Sequence, residues 1–567
     1  MKNHLIIYCL LILSNTFAQT KADFEDNKTP EHKELITTYK ALDEKYEAAK
    51  LYEYGKTDCG RPLHLFVIDP KKSFHKNGNE IIILVNNAIH PGEPCGVDAS
   101  LELSRNLLEN KKLQKNMTNT ILCIIPMYNI GGGLNRSCCS RANQNGPENY
   151  GFRGNARHLD LNRDFIKMDS ENSHAFVNIY QDWDPDIFID THTSNGADYQ
   201  YVMTLITSQK DKLGKELGDF LNDKMEPALY KAMEKSYPMV PYVHSTGRTP
   251  RDGIMDYLET PRYSTGYAAL FHSLPFVTEA HMFKPYKDRV AATYNFLWES
   301  IQYARNNHKE IHNARKLTKE NSIQKDWFPI NWSLDKSRSK TITFKGFQEH
   351  FSTSELTGHE RLHYDRSEPV SYEIPYYTYY NTTDSIKAPE AYVIPQAWKE
   401  VIARLKANKV SMKQLKSDSI INVQSYYIKN LETSKSAYEG HFYHKELETN
   451  TKNQDIHYFA GDYIIPTKQA SKRFIIEVLE PRAVDSYFRW NFFDEILQQK
   501  EWFSDYIFEE KAIEILKNNP EIKKAFEVEK KNNPEFSKSH WAQLYFIYQR
   551  SEFYEDEHMR YPVGRIE

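Results

Sequence analysis

Cysteine is scarce, six in 567 residues, and no Cys-x-x-Cys pair occurs, so a zinc site built on thiolates is not supported. Glycine (22) and proline (25) are too few for a collagen-like or linker-dominated chain. There is no basic excess: 73 Lys and Arg face 77 Asp and Glu, a formal net charge of −4. Nucleic acid is therefore not an expected partner. Beyond the N-terminus no apolar run approaches the roughly 20 residues of a membrane span, so no transmembrane span is expected. What is present is 40% hydrophobic and 26% charged residues, enough to bury sizeable cores. At roughly 100–200 residues per domain, the length suits about three or four domains, or one large domain with appendages. The 38 tyrosines fit either extensive sheet or a groove that handles peptide or sugar.

The chain opens MKNHLIIYCLLILSNTFAQT. Lys2, the apolar run Leu5–Leu13 and the small residues Thr16 and Ala18 form the pattern of a secretory signal over residues 1–18. Export to a periplasmic or extracellular location is the expectation, with cleavage after Ala18. Cys9 would leave with the signal. Cys59, Cys95, Cys123, Cys138 and Cys139 remain, an odd number that leaves at least one unpaired. An oxidising compartment permits one or two disulfides. The adjacent Cys138 and Cys139 could each bridge elsewhere, and the sequence does not specify the pairing.

Residues 31–52 carry apolar residues at helical spacing. Strand-like runs follow at Leu63–Ile68, Ile81–Val85, Ile121–Pro126, Asp186–Asp190 and Pro275–Thr278. Helical patterns lie between several of them, such as Val97–Leu108 and Lys212–Lys231. This alternation predicts an α/β fold with a mixed, largely parallel sheet flanked by helices. Arg289–Arg305 reads as a closing helix, and NNHKEIHNARKLTKEN after it as a linker. The expected catalytic domain spans 22–308. From about 325, short aromatic and β-branched runs such as TITFKGF and YEIPYYTYY predict a β-rich accessory module over 325–567, helical at its end from Phe492 to Tyr548.

Four pieces carry chemistry. In IIILVNNAIHPGEPCG, an apolar strand ends in a Pro-Gly turn that bears His90 and Glu93, and both can reach one metal ion. Ligands in α/β sheets bind outside the carboxyl ends of strands. His192, in PDIFIDTHTSNGADYQY, follows a second strand. Two histidines and a glutamate make a catalytic zinc set with the fourth position open. Glu279, in SLPFVTEAHMF, ends a further apolar strand, where an acid is costly unless it faces a cleft or a partner. It suits a general base, with His281 a rival base or ligand. In HLDLNRDF, Asn162 and Arg163 offer an amide and a fixed cation suited to a carboxylate. Asp160 is of the type that holds a ligand histidine by its other nitrogen.

The ordered set HPGE, LDLNRDF, strand-end histidine and F-x-x-E resembles the zinc metallocarboxypeptidase family, the carboxypeptidase A-like enzymes. YKALDEKY followed by YGKTDCGRPLHLFVI agrees with the family's opening helix and strand. The resemblance covers about residues 32–305 and implies an eight-stranded type of sheet. It implies one zinc ion per chain on His90, Glu93 and His192, and Glu279 as the catalytic base. It makes Asn162 and Arg163 the pair that binds the terminal carboxylate of a peptide or protein substrate, and Asp160 the acid behind the first histidine. An arginine that polarises the scissile carbonyl is expected at Arg141, with Arg136 as rival. A tyrosine that caps the substrate is expected at Tyr263 or Tyr267. Two departures put substrate choice in question: Gly92 replaces an arginine two residues after His90, and Met127-Tyr128-Asn129-Ile130-Gly131 replaces the usual Asn-Pro-Asp-Gly. The implied function is a secreted zinc carboxypeptidase. An amidase or deacylase of the same fold, acting on cell-wall peptides or N-acyl amino acids, and a non-catalytic binding protein are the other readings.

Overall fold

The computed structural model describes residues 23–78 and 80–567, so the expected signal segment lies outside the described residues. Among the described residues of the first half there are nine strands: β1 (Ala49–Lys56), β2 (Pro62–Ile68), β3 (Ile81–Asn87), β4 (Thr120–Ile125), β5 (Ile187–Ser194), β6 (Met203–Thr207), β7 (Met239–Pro241), β8 (Ile254–Met255) and β9 (Leu274–His281). Eight of them form one sheet in the order β1-β2-β4-β3-β5-β9-β6-β7. The centre, β4-β3-β5-β9, is parallel; β1, β2 and β6 join antiparallel.

The central strands are apolar throughout because both faces are covered. Alternate residues go to opposite sides. Ile81, Ile83 and Val85 join one core, under the helices Cys95–Glu109 and Tyr286–Gln324. Ile82 and Leu84 join a second core with Phe176 and Tyr180 of the helix Glu171–Trp183. That second core also takes in Tyr392, Val401, Ile475, Trp490, Tyr561 and Val563, all from the C-terminal half.

The C-terminal half is β-rich. A long hairpin, Lys340–Thr353 with Glu360–Tyr377, adds β8 of the first half in parallel. A six-stranded sheet is dominated by the hairpin Ser419–Thr433 with His444–Tyr458. Short helices between Asp505 and Tyr548 complete it. Among the described residues no helix is long and apolar enough to cross a membrane.

Two expectations need correction. The charged stretch read as a linker continues the closing helix, which runs from Tyr286 to Gln324 with a kink at Asn307. Its buried side carries Ile311, Ala314, Arg315, Thr318 and Ser322. The single helix expected at Lys212–Lys231 is broken: Gly214, at φ 87°, separates two short helices, and Leu221–Met225 winds as a π-helix.

Arg315 shows why that helix matters. Its buried guanidinium donates to Asp186 at 2.9 Å and to the His272 carbonyl at 3.0 Å, and also contacts Asp184. Burial acts to raise the Asp186 carboxyl, but Arg315 and Lys76 outweigh it and hold it below the usual range. A depressed carboxyl stabilises the fold above its unfolded pKa of about 4 and loses that contribution as pH falls through the folded value. Arg315→Met should therefore cost about 3 kcal/mol at neutral pH. Denaturant midpoints measured from pH 7 downward should also show a shallower acid-side fall than in the parent.

Candidate active site

The ends of β3, β5 and β9 meet at a cavity of about 530 Å³. His90 and Glu93 lie in the turn between β3 and the helix Cys95–Glu109, and His192 lies on β5. One ligand atom from each lies within 4.8 Å of the others, and all three side chains are buried. Nδ1 of His90 is 3.1 Å from Glu93 Oε1, and Nδ1 of His192 is 3.0 Å from Glu93 Oε2. The opposite ring nitrogens are held by acids: Nε2 of His90 donates to Asp160 at 2.9 Å, and Nε2 of His192 to Asp190 at 2.9 Å. Both histidines are thereby turned with Nδ1 toward the shared carboxylate. Two imidazoles, one carboxylate and outer acids on both rings suit zinc.

The backbone N–H of Thr193 donates to Glu93 Oε2 at 2.8 Å, and Arg141 Nη2 contacts Oε1. Burial works to raise the Glu93 carboxyl, but Arg141 and the two histidines hold it well below the usual range. Glu279 is opposite His192 in the β5–β9 register and lines the same cavity. Burial, opposed by His192 but reinforced by Glu93 and Asp190, pushes its carboxyl up to about 8.

Asn162 and Arg163 reach the cavity from the short turn Leu161–Arg163, whose first N–H groups are capped by Asp160: the Asn162 N–H donates to Asp160 Oδ1 at 2.9 Å. Asn162 Oδ1 accepts from the Ser264 N–H at 3.1 Å. The Tyr263 ring lies over the Arg163 guanidinium at 4.5 Å. Arg141 lines the cavity beside Gly92, where a Cβ would sit only 2.7 Å from Arg141 Nε. Any side chain at position 92 would displace this arginine.

Three candidates lie elsewhere. Arg136 donates to the backbone carbonyls of Thr29, Pro30 and Asn149 and does not line the cavity. Tyr267 is fully buried in the second core and donates to Asn408 at 2.7 Å; the helix Ser264–Leu270 turns it away from the cavity that Tyr263 lines. His281 is buried with Nε2 on the Ala197 carbonyl at 2.7 Å, outside the ligand group. Cys138 and Cys139 are bonded to each other and not to distant partners, while Cys59, Cys95 and Cys123 are free. Sequence reasoning missed Asp190, although its spacing two residues before His192 on one strand puts both on the same face. It also missed Arg153, which donates to Asp160 at 2.8 Å and approaches His90, and Tyr242 and Tyr257 in the cavity wall.

Residues 35–259 match the family model described as zinc carboxypeptidase. Over that segment the chain is similar to zinc carboxypeptidases. The matched segment holds His90, Glu93 and His192, and Glu279 lies beyond it. Carboxypeptidase 2 of Trichophyton tonsurans is 21% identical over 458 residues, covering 76% of this chain and 78% of that protein. A metallo-carboxypeptidase from Pseudomonas aeruginosa is 13% identical, over 49% of this chain and 69% of that one, with a TM-score of 0.37. Carboxypeptidase A from Helicoverpa armigera is 12% identical, over 51% and 75%, with a TM-score of 0.38.

The acid behind a ligand histidine tunes its basicity and orientation. Asp160→Asn should weaken zinc binding by about 10–100-fold, read by competition against a chelator of known affinity.

Proposed function

We propose that this protein is an exported exopeptidase that hydrolyses the last peptide bond of a peptide or protein. The observation that supports this best is one cavity that combines the His90, Glu93 and His192 group with Glu279 and with the amide and guanidinium of Asn162 and Arg163. The N-terminal secretory pattern supports export.

Arg163 and Asn162 bind the terminal carboxylate, which sets the neighbouring peptide carbonyl against the ligand group. His90, Glu93 and His192 would hold a zinc ion, which when bound would supply a Lewis acid able to lower the pKa of water towards about 7. Glu279 accepts the proton of the attacking water and returns it to the leaving nitrogen. Arg141 donates to the oxygen that gains charge, a contribution of about 2.7–4 kcal/mol for one such donor. Tyr263 covers the bound terminal residue. Ile206, Val277, Tyr242 and Tyr257 form a wall without charged side chains, which favours an apolar or aromatic C-terminal residue.

Glu279→Gln should retain zinc and lower kcat by about 10²–10⁴-fold; near-normal turnover would remove it from the base role. Mass spectrometry of a mixed peptide library should show single residues lost from free C-termini, with leucine and phenylalanine released ahead of aspartate and lysine. Equal cleavage of C-terminally amidated peptides would overturn the exopeptidase reading in favour of an amidase of the same scaffold.

A further inference from the structure

The loop 434–443 joins the two long strands Ser419–Thr433 and His444–Tyr458, far along the chain from the LDLNRDF segment. Its tip nonetheless meets that segment twice and Asp169, four residues beyond it, once. Arg163 Nε donates to the Tyr438 hydroxyl at 3.1 Å. The Asp160 N–H donates to Glu439 Oε2 at 2.8 Å. His441 Nε2 lies 2.7 Å from Asp169 Oδ2.

The tip is itself braced. The Tyr438 N–H donates to the His441 carbonyl at 2.8 Å, and Ser434 to the Tyr443 carbonyl at 2.9 Å. The Tyr438 ring stacks on the buried Trp490 at 6.1 Å and 18°. The Arg262 guanidinium lies against Tyr438, Tyr443 and Trp490, and pairs with Asp485 at 2.8 Å. The hydroxyl that meets Arg163 is therefore carried on a rigid support and not on a mobile surface chain.

The edge of the guanidinium that Tyr438 occupies decides what is left. Nε is taken, Nη1 donates to the Asn162 carbonyl at 2.8 Å, and the Tyr263 ring covers one face. A ligand carboxylate is excluded from the side-on Nε/Nη2 fork and directed to the outer Nη end. A flexible arginine would have to be ordered at each binding event, at an entropic cost that this arrangement meets in advance.

We infer that Tyr438, carried on the C-terminal hairpin tip, is a positioning residue that fixes the orientation of Arg163 for the substrate's terminal carboxylate. The C-terminal half thus completes the substrate site. This rests on the exopeptidase reading of the cavity.

The test compares Tyr438→Phe and Arg163→Ala with the parent, in the full-length zinc-loaded enzyme, on one peptide with a free C-terminus. Tyr438→Phe removes only an oxygen at a side chain 37% exposed. It should raise KM roughly tenfold, the size of a hydrogen bond to a charged group, with kcat within about twofold and an unchanged melting temperature. An unchanged KM in Tyr438→Phe, with KM raised in Arg163→Ala, overturns the positioning role and leaves the exopeptidase reading intact. Unchanged KM in both variants overturns the carboxylate clamp and this inference with it.

Discussion

The site depends on one buried carboxylate shared between two imidazoles. Glu93 sits with one oxygen against His90 and the other against His192, fastened by Arg141 and the Thr193 N–H. Such a group is costly to bury unless it is paired and hydrogen-bonded. His90, His192 and the Thr193 N–H come from the carboxyl ends of parallel strands or the turn after one, and Arg141 reaches in from the loop that follows the helix Ile130–Leu134. The sheet order β3-β5-β9 sets the partners side by side, and Glu279 falls opposite His192 through register alone. An open strand end, backed by an apolar sheet, is what makes a cavity lined with charged side chains possible here.

The two faces of the sheet are used differently. One is closed by helices of the same half, including the long Tyr286–Gln324 helix. The other is closed partly by residues that follow nearly the whole chain, up to Val563. The β-rich half is therefore part of the structure behind the site, and its hairpin tip meets Asp160 and Arg163 directly.

Much of this was legible in the sequence because central parallel strands are apolar on both faces, so a polar residue at their end stands out. His90, Glu93, His192 and Glu279 each follow such a run. The loop residues carry no periodicity, which is why Arg136 and Arg141 could not be separated before their partners were known. Tyr263 and Tyr267 were ambiguous for a related reason: the start of the short helix Ser264–Leu270 falls between them, leaving Tyr263 in the extended residue before it, and their spacing alone does not locate that boundary. The helical stripe Ile311-Ala314-Arg315-Thr318-Ser322 passed for a linker because most of its buried positions are polar. The contacts between residues 160–169 and 438–441 leave no local trace, since each segment alone reads as an ordinary polar turn.

The second core has a consequence for how the molecule comes into being. It gathers side chains from Leu63 to Val563, so a growing chain cannot close that face of the sheet until its last turns have been made. The two halves share this core, so neither half is packed on that face without the other.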